Sequence, residues 1–189
     1  MNHESKPERP DFSQPLAALK QCHDRIRKEL AVLESLPAAL AGTLDQRALQ
    51  ESAAALLRYF EQAAPIHHAD EEQDLIPLLQ TAARDADAAL LKLMIPVLLD
   101  EHQEMARTWA TLVPQLQAIA DGQAGTIDLA TVKHFSLLYA THMDTEETHV
   151  ATMARRLFGP DQLHRLGNAM RQRRGLPTLD ATAVPAPGA

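Results

Sequence analysis

The chain has 189 residues, enough for one domain with a sizeable buried core. Hydrophobic residues make up 46% but aromatics only 4%, and Ala and Leu dominate, which favours closely packed helices over a β-sandwich. A net charge of −7 argues against nucleic acid or an anionic membrane as the main partner, and the single cysteine, Cys22, excludes an internal disulfide and any site built on several thiolates.

Residues 1–11 are polar, hold two prolines and form a flexible lead with no apolar signal core. The first predicted helix starts near Asp11 or Ser13 and accepts Pro15 in its first turn. Leu16, Leu19, Ile26, Leu30, Leu33 and Leu36 recur at helical spacing around His23, and Pro37 with the Ala-Gly-Thr segment at 41–43 ends the helix. The second starts near Leu44 or Asp45 and runs to Thr81 or Arg84, with a kink expected at Pro65, just before His67 and His68, and Pro77 as a second candidate. The third spans Ala86 to Ala120. After the turn at 121–125, the fourth runs from Asp128 to Phe158. Asp161 is placed to cap a short fifth helix ending near Arg174, and residues 175–189 form a disordered tail. The C-terminal arginines, Arg155 to Arg174, read as the solvated face of that region. The fold class is all-α: residues 12–174 form an up-down-up-down antiparallel four-helix bundle with a short C-terminal fifth helix. No apolar run is long enough to span a membrane, so a cytoplasmic location is the expectation.

Two motifs share one design. His68-Ala-Asp-Glu-Glu72 and His142-Met-Asp-Thr-Glu146 each place a histidine four residues before a glutamate. On a helix these positions lie one turn apart on one face. A lone histidine, His23 or His102, precedes each motif in the preceding helix. Setting His23 on His102 matches Leu19 with Leu98, Ile26 with Met105 and Leu33 with Leu112; setting His68 on His142 matches Asp70 with Asp144 and Glu72 with Glu146. One such pair is commonly a surface hydrogen bond. Two on alternate helices, flanked by apolar residues and each preceded by a lone histidine, point to a pair of metal ions held by His23, His68, Glu72, His102, His142 and Glu146. Imidazole and carboxylate without thiolate suit iron or manganese. His67 and Glu71 form an overlapping motif one residue out of register, and Glu147 neighbours Glu146. Both alternatives stay open, with the Asp70/Asp144 match favouring His68 and Glu72.

The segments Cys-His23-Asp-Arg-Ile, His67-His68-Ala-Asp-Glu71-Glu72-Gln-Asp-Leu-Ile-Pro77, Asp-Glu-His102-Gln-Glu-Met and His142-Met-Asp-Thr-Glu146-Glu147 resemble the hemerythrin-like, or HHE cation-binding, family over residues 12–174. The resemblance implies two non-haem irons in a four-helix bundle that binds O2, NO or peroxide. His23, His68, His102 and His142 would be terminal ligands, and Glu72 and Glu146 would bridge. Oxygen-carrying members have two histidines four residues apart on the third helix. Here the positions flanking His102 at that spacing are Leu98 and Ala106, so one protein ligand is missing. That departure favours sensing, storage or a stress response over oxygen transport. The alternative is an enzyme detoxifying peroxide or NO, or an iron donor in iron–sulfur cluster repair. Tyr139 and His149 lie close along the helix to His142. The first reads mainly as a packed aromatic and the second as a partly buried structural residue. His3, His134 and His164 read as solvated, and Cys22 as pointing away from His23.

Overall fold

The computed structural model describes residues 10–42, 45–123 and 125–179. Leu44, most of the N-terminal lead, His3 and the tail from 180 lie outside the described residues. Among the described residues there is no strand. Helix α1 is Pro15–Ala41. Helix α2 (residues 46–82) is α-helical over Gln46–Arg58, Ala64–Asp70 and Ile76–Ala82, with π-helical turns at Tyr59–Ala63 and Glu71–Leu75 between them. Helix α3 is Asp85–Ala120. Helix α4 (residues 129–157) is interrupted by a π-helical turn at Glu146–Val150, and α5 is Pro160–Arg173. No helix among the described residues is long and apolar enough to cross a membrane.

The start signals act as their chemistry requires. Asp45 accepts a hydrogen bond from the Arg47 backbone N–H, and Asp128 accepts from those of Ala130 and Thr131. Two expectations change. The first helix runs through Pro37 to Ala41, because an interior proline removes one ladder bond without the rest of the turn being lost. Helix α5 begins one residue before Asp161: Pro160 occupies its first turn, and Gln162 Oε1 accepts from the Gly159 N–H at 3.1 Å.

The expected kinks at Pro65 and Pro77 take a specific form. Each proline falls in the first turn of the α segment that follows a π-helical turn. The widened turns are closed by Ala64 N–H bonding to Tyr59 O and Ile76 N–H to Glu71 O. A proline next in line has no N–H to offer, so the extra residue accommodates it. The third π-helical turn has no proline. Instead the Thr152 hydroxyl donates to Glu147 O at 3.3 Å, across the opened ladder.

Helix α1 packs on α2 and α4, and α3 packs on the same two, closing a ring of four helices. Two apolar clusters fill it. One is built around Ile26, Leu33, Leu56, Phe60, Met105, Trp109, Phe135 and Tyr139. The other is built around Leu19, Leu75, Leu79, Leu98, Val150, Leu166 and Met170. Between them lies a polar layer, because each lone histidine is bracketed by one residue of either cluster: Leu19 and Ile26 around His23, Leu98 and Met105 around His102.

Helix α5 lies against α1 and the middle of α2. Its Gly167 permits a close approach: a Cβ there would sit 2.3 Å from the Phe12 carbonyl oxygen. The C-terminal arginines are not simply a solvated face. Arg174 forms two hydrogen bonds to Asp70 (2.7 and 3.1 Å), and Arg173 bridges Asp70 and Asp74. Asp70 is fully buried, whereas Asp144 is exposed. Residues 176–179 fold back on α5 through Leu179 N–H to Asn168 and Leu179 O to His164, where a disordered tail and a solvated histidine were expected.

Breaking a buried ion pair by deleting its cations leaves an uncompensated carboxylate. The double variant Arg173→Ala/Arg174→Ala is expected to lose about 3–5 kcal/mol in urea unfolding, with the midpoint falling and the slope unchanged. A loss below about 1 kcal/mol, the range of an exposed ion pair, would show that Asp70 does not depend on them.

Candidate metal centre

The polar layer draws one stripe from each of the four ring helices. On α2 the buried line runs Phe60, Ala64, His67, Glu71, Leu75, Leu79. On α4 it runs Phe135, Tyr139, His142, Glu146, Val150, Ala154. The two lines match at one constant offset, and in both a π-helical turn begins at the glutamate. Spacing by four drifts about 40° per step around an α-helix. The wider turn offsets that drift, so the apolar residues after each glutamate stay on the core side.

Six side chains form two clusters. His23, His67, Glu71 and Glu146 make the first; His102, His142, Glu71 and Glu146 make the second; all are buried, and within each the ligand atoms lie within 4.8 Å of one another. Both glutamates straddle the two. Glu71 Oε1 is 3.2 Å from His67 Nε2 and 3.6 Å from His23 Nε2, while its Oε2 is 3.6 Å from His102 Nε2. Glu146 Oε2 is 3.2 Å from His23 Nε2, while its Oε1 is 3.3 Å from His142 Nε2. The His102 and His142 Nε2 atoms are 2.9 Å apart.

Of the residues singled out from the sequence, His23, His102, His142 and Glu146 are brought together here. His68 and Glu72 stand outside both clusters, and His67 and Glu71 take their places. The Glu72 side chain is 41% exposed. His68 stacks on the His102 ring at 4.0 Å without joining either ligand group. The Asp70/Asp144 match that favoured His68 and Glu72 is not a structural equivalence, since Asp70 is buried and answers to Arg173 and Arg174 while Asp144 is exposed. The apolar stripe through Phe60, Ala64, Leu75 and Leu79 was the signal that points to His67 and Glu71. Tyr139 packs among Phe60, Phe135 and His68; His134 is exposed as expected, and His149 is exposed where a partly buried residue was expected. Cys22 belongs to neither cluster.

The displaced glutamates have another use. His23 Nδ1–H donates to Glu147 at 2.9 Å, His102 Nδ1–H to Glu72 at 2.6 Å, and His142 Nδ1–H to Glu101 at 2.8 Å. In the neutral ring, each bond leaves Nε2, the inward nitrogen, as the acceptor. Carboxylates behind imidazoles in this way fix the tautomer and raise the basicity of a metal ligand. Arg27 holds Glu147 in turn at 2.7 Å.

The inner atoms fit a cation. Among the described residues, His23 Nε2, Glu71 Oε2 and Glu146 Oε2 are buried with no hydrogen-bond partner, a costly state for polar atoms that converge. Burial and the facing Glu146 charge raise Glu71 to about 8. Burial acts on Glu146 in the same sense, but His142 and His23 outweigh it and hold that carboxyl well below its ordinary value. Burial disfavours a charge on His23 and His142, yet their carboxylate contacts, led by Glu146, raise them to about 10 and about 9. Burial keeps His67 and His68 neutral.

Buried imidazole and carboxylate groups converging from four helices define a metal-binding helical bundle. The hemerythrin HHE cation-binding domain matches residues 14–154, and the chain belongs to that family. It is similar to an uncharacterized protein of Haemophilus influenzae, 29% identical over 163 residues that cover 86% of this chain and 91% of that one.

Two measurements check this geometry. Glu71→Ala is expected to abolish tight metal binding, whereas Glu72→Ala weakens it by about 10–100-fold through the lost support of His102; equal metal content in Glu71→Ala and the parent would sink the register. The raised groups His23, His142 and Glu71 carry protons at pH 7, and a metal must displace them. Metal loading is therefore expected to release protons, and affinity to fall as pH drops. Calorimetry in buffers of different ionisation enthalpy reads the release directly.

Proposed function

We propose that this chain is a non-haem di-iron protein that binds O2, NO or peroxide for sensing, storage or a stress response in the cytoplasm. The observation that carries the reading is the sharing of Glu71 and Glu146 between two otherwise separate histidine pairs. Each carboxyl presents one oxygen to either histidine pair, so Glu71 and Glu146 would serve two ions, one in each pair. The mixed nitrogen and oxygen donor set, with no thiolate, suits iron and accepts manganese. When bound, such a pair supplies open coordination positions and one-electron chemistry toward small ligands. The protein's own part is to hold six donors rigid, to aim the inward nitrogens at the centre through Glu72, Glu101 and Glu147, and to limit water with apolar layers above and below.

Iron titration of the metal-free protein is expected to saturate at two ions per chain, with His67→Ala and His142→Ala each lowering the stoichiometry. Saturation at one ion would refute the dinuclear reading. Steady-state consumption of peroxide or NO by the loaded protein, in place of stoichiometric binding, would move the assignment to an enzyme.

A further inference from the structure

Two cavities flank the metal layer. The first, about 230 Å³, has apolar walls including Leu19, Leu75 and Val150, and its inner end meets His23, Glu71 and Glu146. The second, about 240 Å³, is lined by His68, His102, Ala106, Trp109, Phe135 and Tyr139 among others. Both have openings to solvent, and Lys20 and Arg155 line the first as well. The chemistry at their inner ends differs. The first ends on His23 and two carboxyl groups that, once ionised in the loaded site, only accept and so repel another acceptor. The second ends beside an imidazole and is bordered by two enclosed nitrogens that make no hydrogen bond among the described residues: the Trp109 Nε1–H, a donor, and His68 Nε2, a donor in its Nε2–H tautomer.

Helix α3 adds a second observation. Ala106 lies one turn beyond His102 on the same face, and it is exposed, at the outer edge of this cavity. A methyl group there fills little of the space between His102 and the aromatic wall. His68 is held beside it by its stack on His102, and its ring centroid is 5.8 Å from that of Tyr139.

We infer that small acceptor ligands reach the His102/His142 half of the centre through this second cavity, past Ala106, and that His68 Nε2–H donates a hydrogen bond to the bound ligand. His68 thus serves the ligand while His67 serves the metal, which accounts for adjacent histidines, one buried and one partly exposed, with separate surroundings. The inference rests on the dinuclear reading above. Compact molecules with acceptor lone pairs, of the size of O2, NO, peroxide or azide, are the class that fits.

Azide is the probe, titrated into iron-loaded protein and followed by its charge-transfer absorption, with iron per chain measured on the same samples. Ala106→Phe, at an exposed position, is expected to slow azide binding at least tenfold, and the milder Ala106→Leu to slow it less, both with parental iron content. His68→Leu is expected to weaken azide by about tenfold, the scale of one hydrogen bond, again with parental iron. Ala151→Phe, in the first cavity, is expected to change neither. Slowing by Ala151→Phe but not by either Ala106 variant would overturn the route. Loss of iron in His68→Leu would make His68 a ligand and overturn its role as donor. Iron-loaded parent protein that fails to bind azide would overturn the inference and leave the dinuclear reading standing, whereas a parent that holds no iron would overturn both.

Discussion

Glu71 and Glu146 face each other inside a buried layer of the bundle, and the rest of the centre answers that conflict. Two carboxylates in a low-dielectric layer cannot both stay charged unless positive charge lies between them. Without a cation, one carboxyl is driven toward protonation while the other leans on His23 and His142. That arrangement leaves convergent lone pairs without partners. The fold nevertheless brings these groups together, with apolar clusters on both sides to keep water out. A layer so costly when empty is a binding site whose free energy of filling becomes free energy of folding.

The paired glutamates divide their labour across the bundle. The first of each pair, Glu71 or Glu146, turns inward from its own helix. The second, Glu72 or Glu147, reaches across to the lone histidine of a neighbouring helix: Glu72 to His102 on α3, Glu147 to His23 on α1. Each Glu-Glu dipeptide therefore ties the metal layer to a helix–helix contact. The internal repeat is imperfect in one respect. Glu101, just before His102, supports His142, but the matching position before His23 is Cys22, and the His67 Nδ1 atom has no hydrogen-bond partner among the described residues. The two halves of the layer thus hold their imidazoles with unequal firmness. The half with both histidines carboxylate-backed is the one that borders the cavity beside Ala106.

The all-helical class and four of the six clustered residues were legible from apolar periodicity and histidine spacing alone. The register on α2 was not. Adjacent His67-His68 and Glu71-Glu72 offer two overlapping solutions, and an acidic residue at equal distance from each motif favoured the outer one. That coincidence has no common physical basis, because Asp70 is an ion-pair partner of α5 and Asp144 is exposed. The apolar stripe does carry the answer. It requires four-residue steps through Glu71, Leu75 and Leu79, which a uniform α-helix does not keep on one face and a π-helical turn does. A period of 3.6 contains no such turn, so the sequence pattern alone could not reveal why the inner register is the stable one.

Those turns also explain the position of α5, which lies beyond the matched region 14–154. A π-helical turn is a weak point in a helix, and Glu71 opens one. Asp70, the last residue before it, is clamped by Arg173 and Arg174, and Asp74 within it is held by Arg173. Gly167 lets α5 close on Phe12, and Phe12 lies beneath the Arg174 guanidinium at 4.8 Å. The equivalent turn on α4 has a smaller local brace, the Thr152 hydroxyl on the Glu147 carbonyl. Helix α5 thus pins the backbone that aims Glu71. A displacement of Glu71 by even an ångström would bring its carboxyl toward one histidine pair and away from the other.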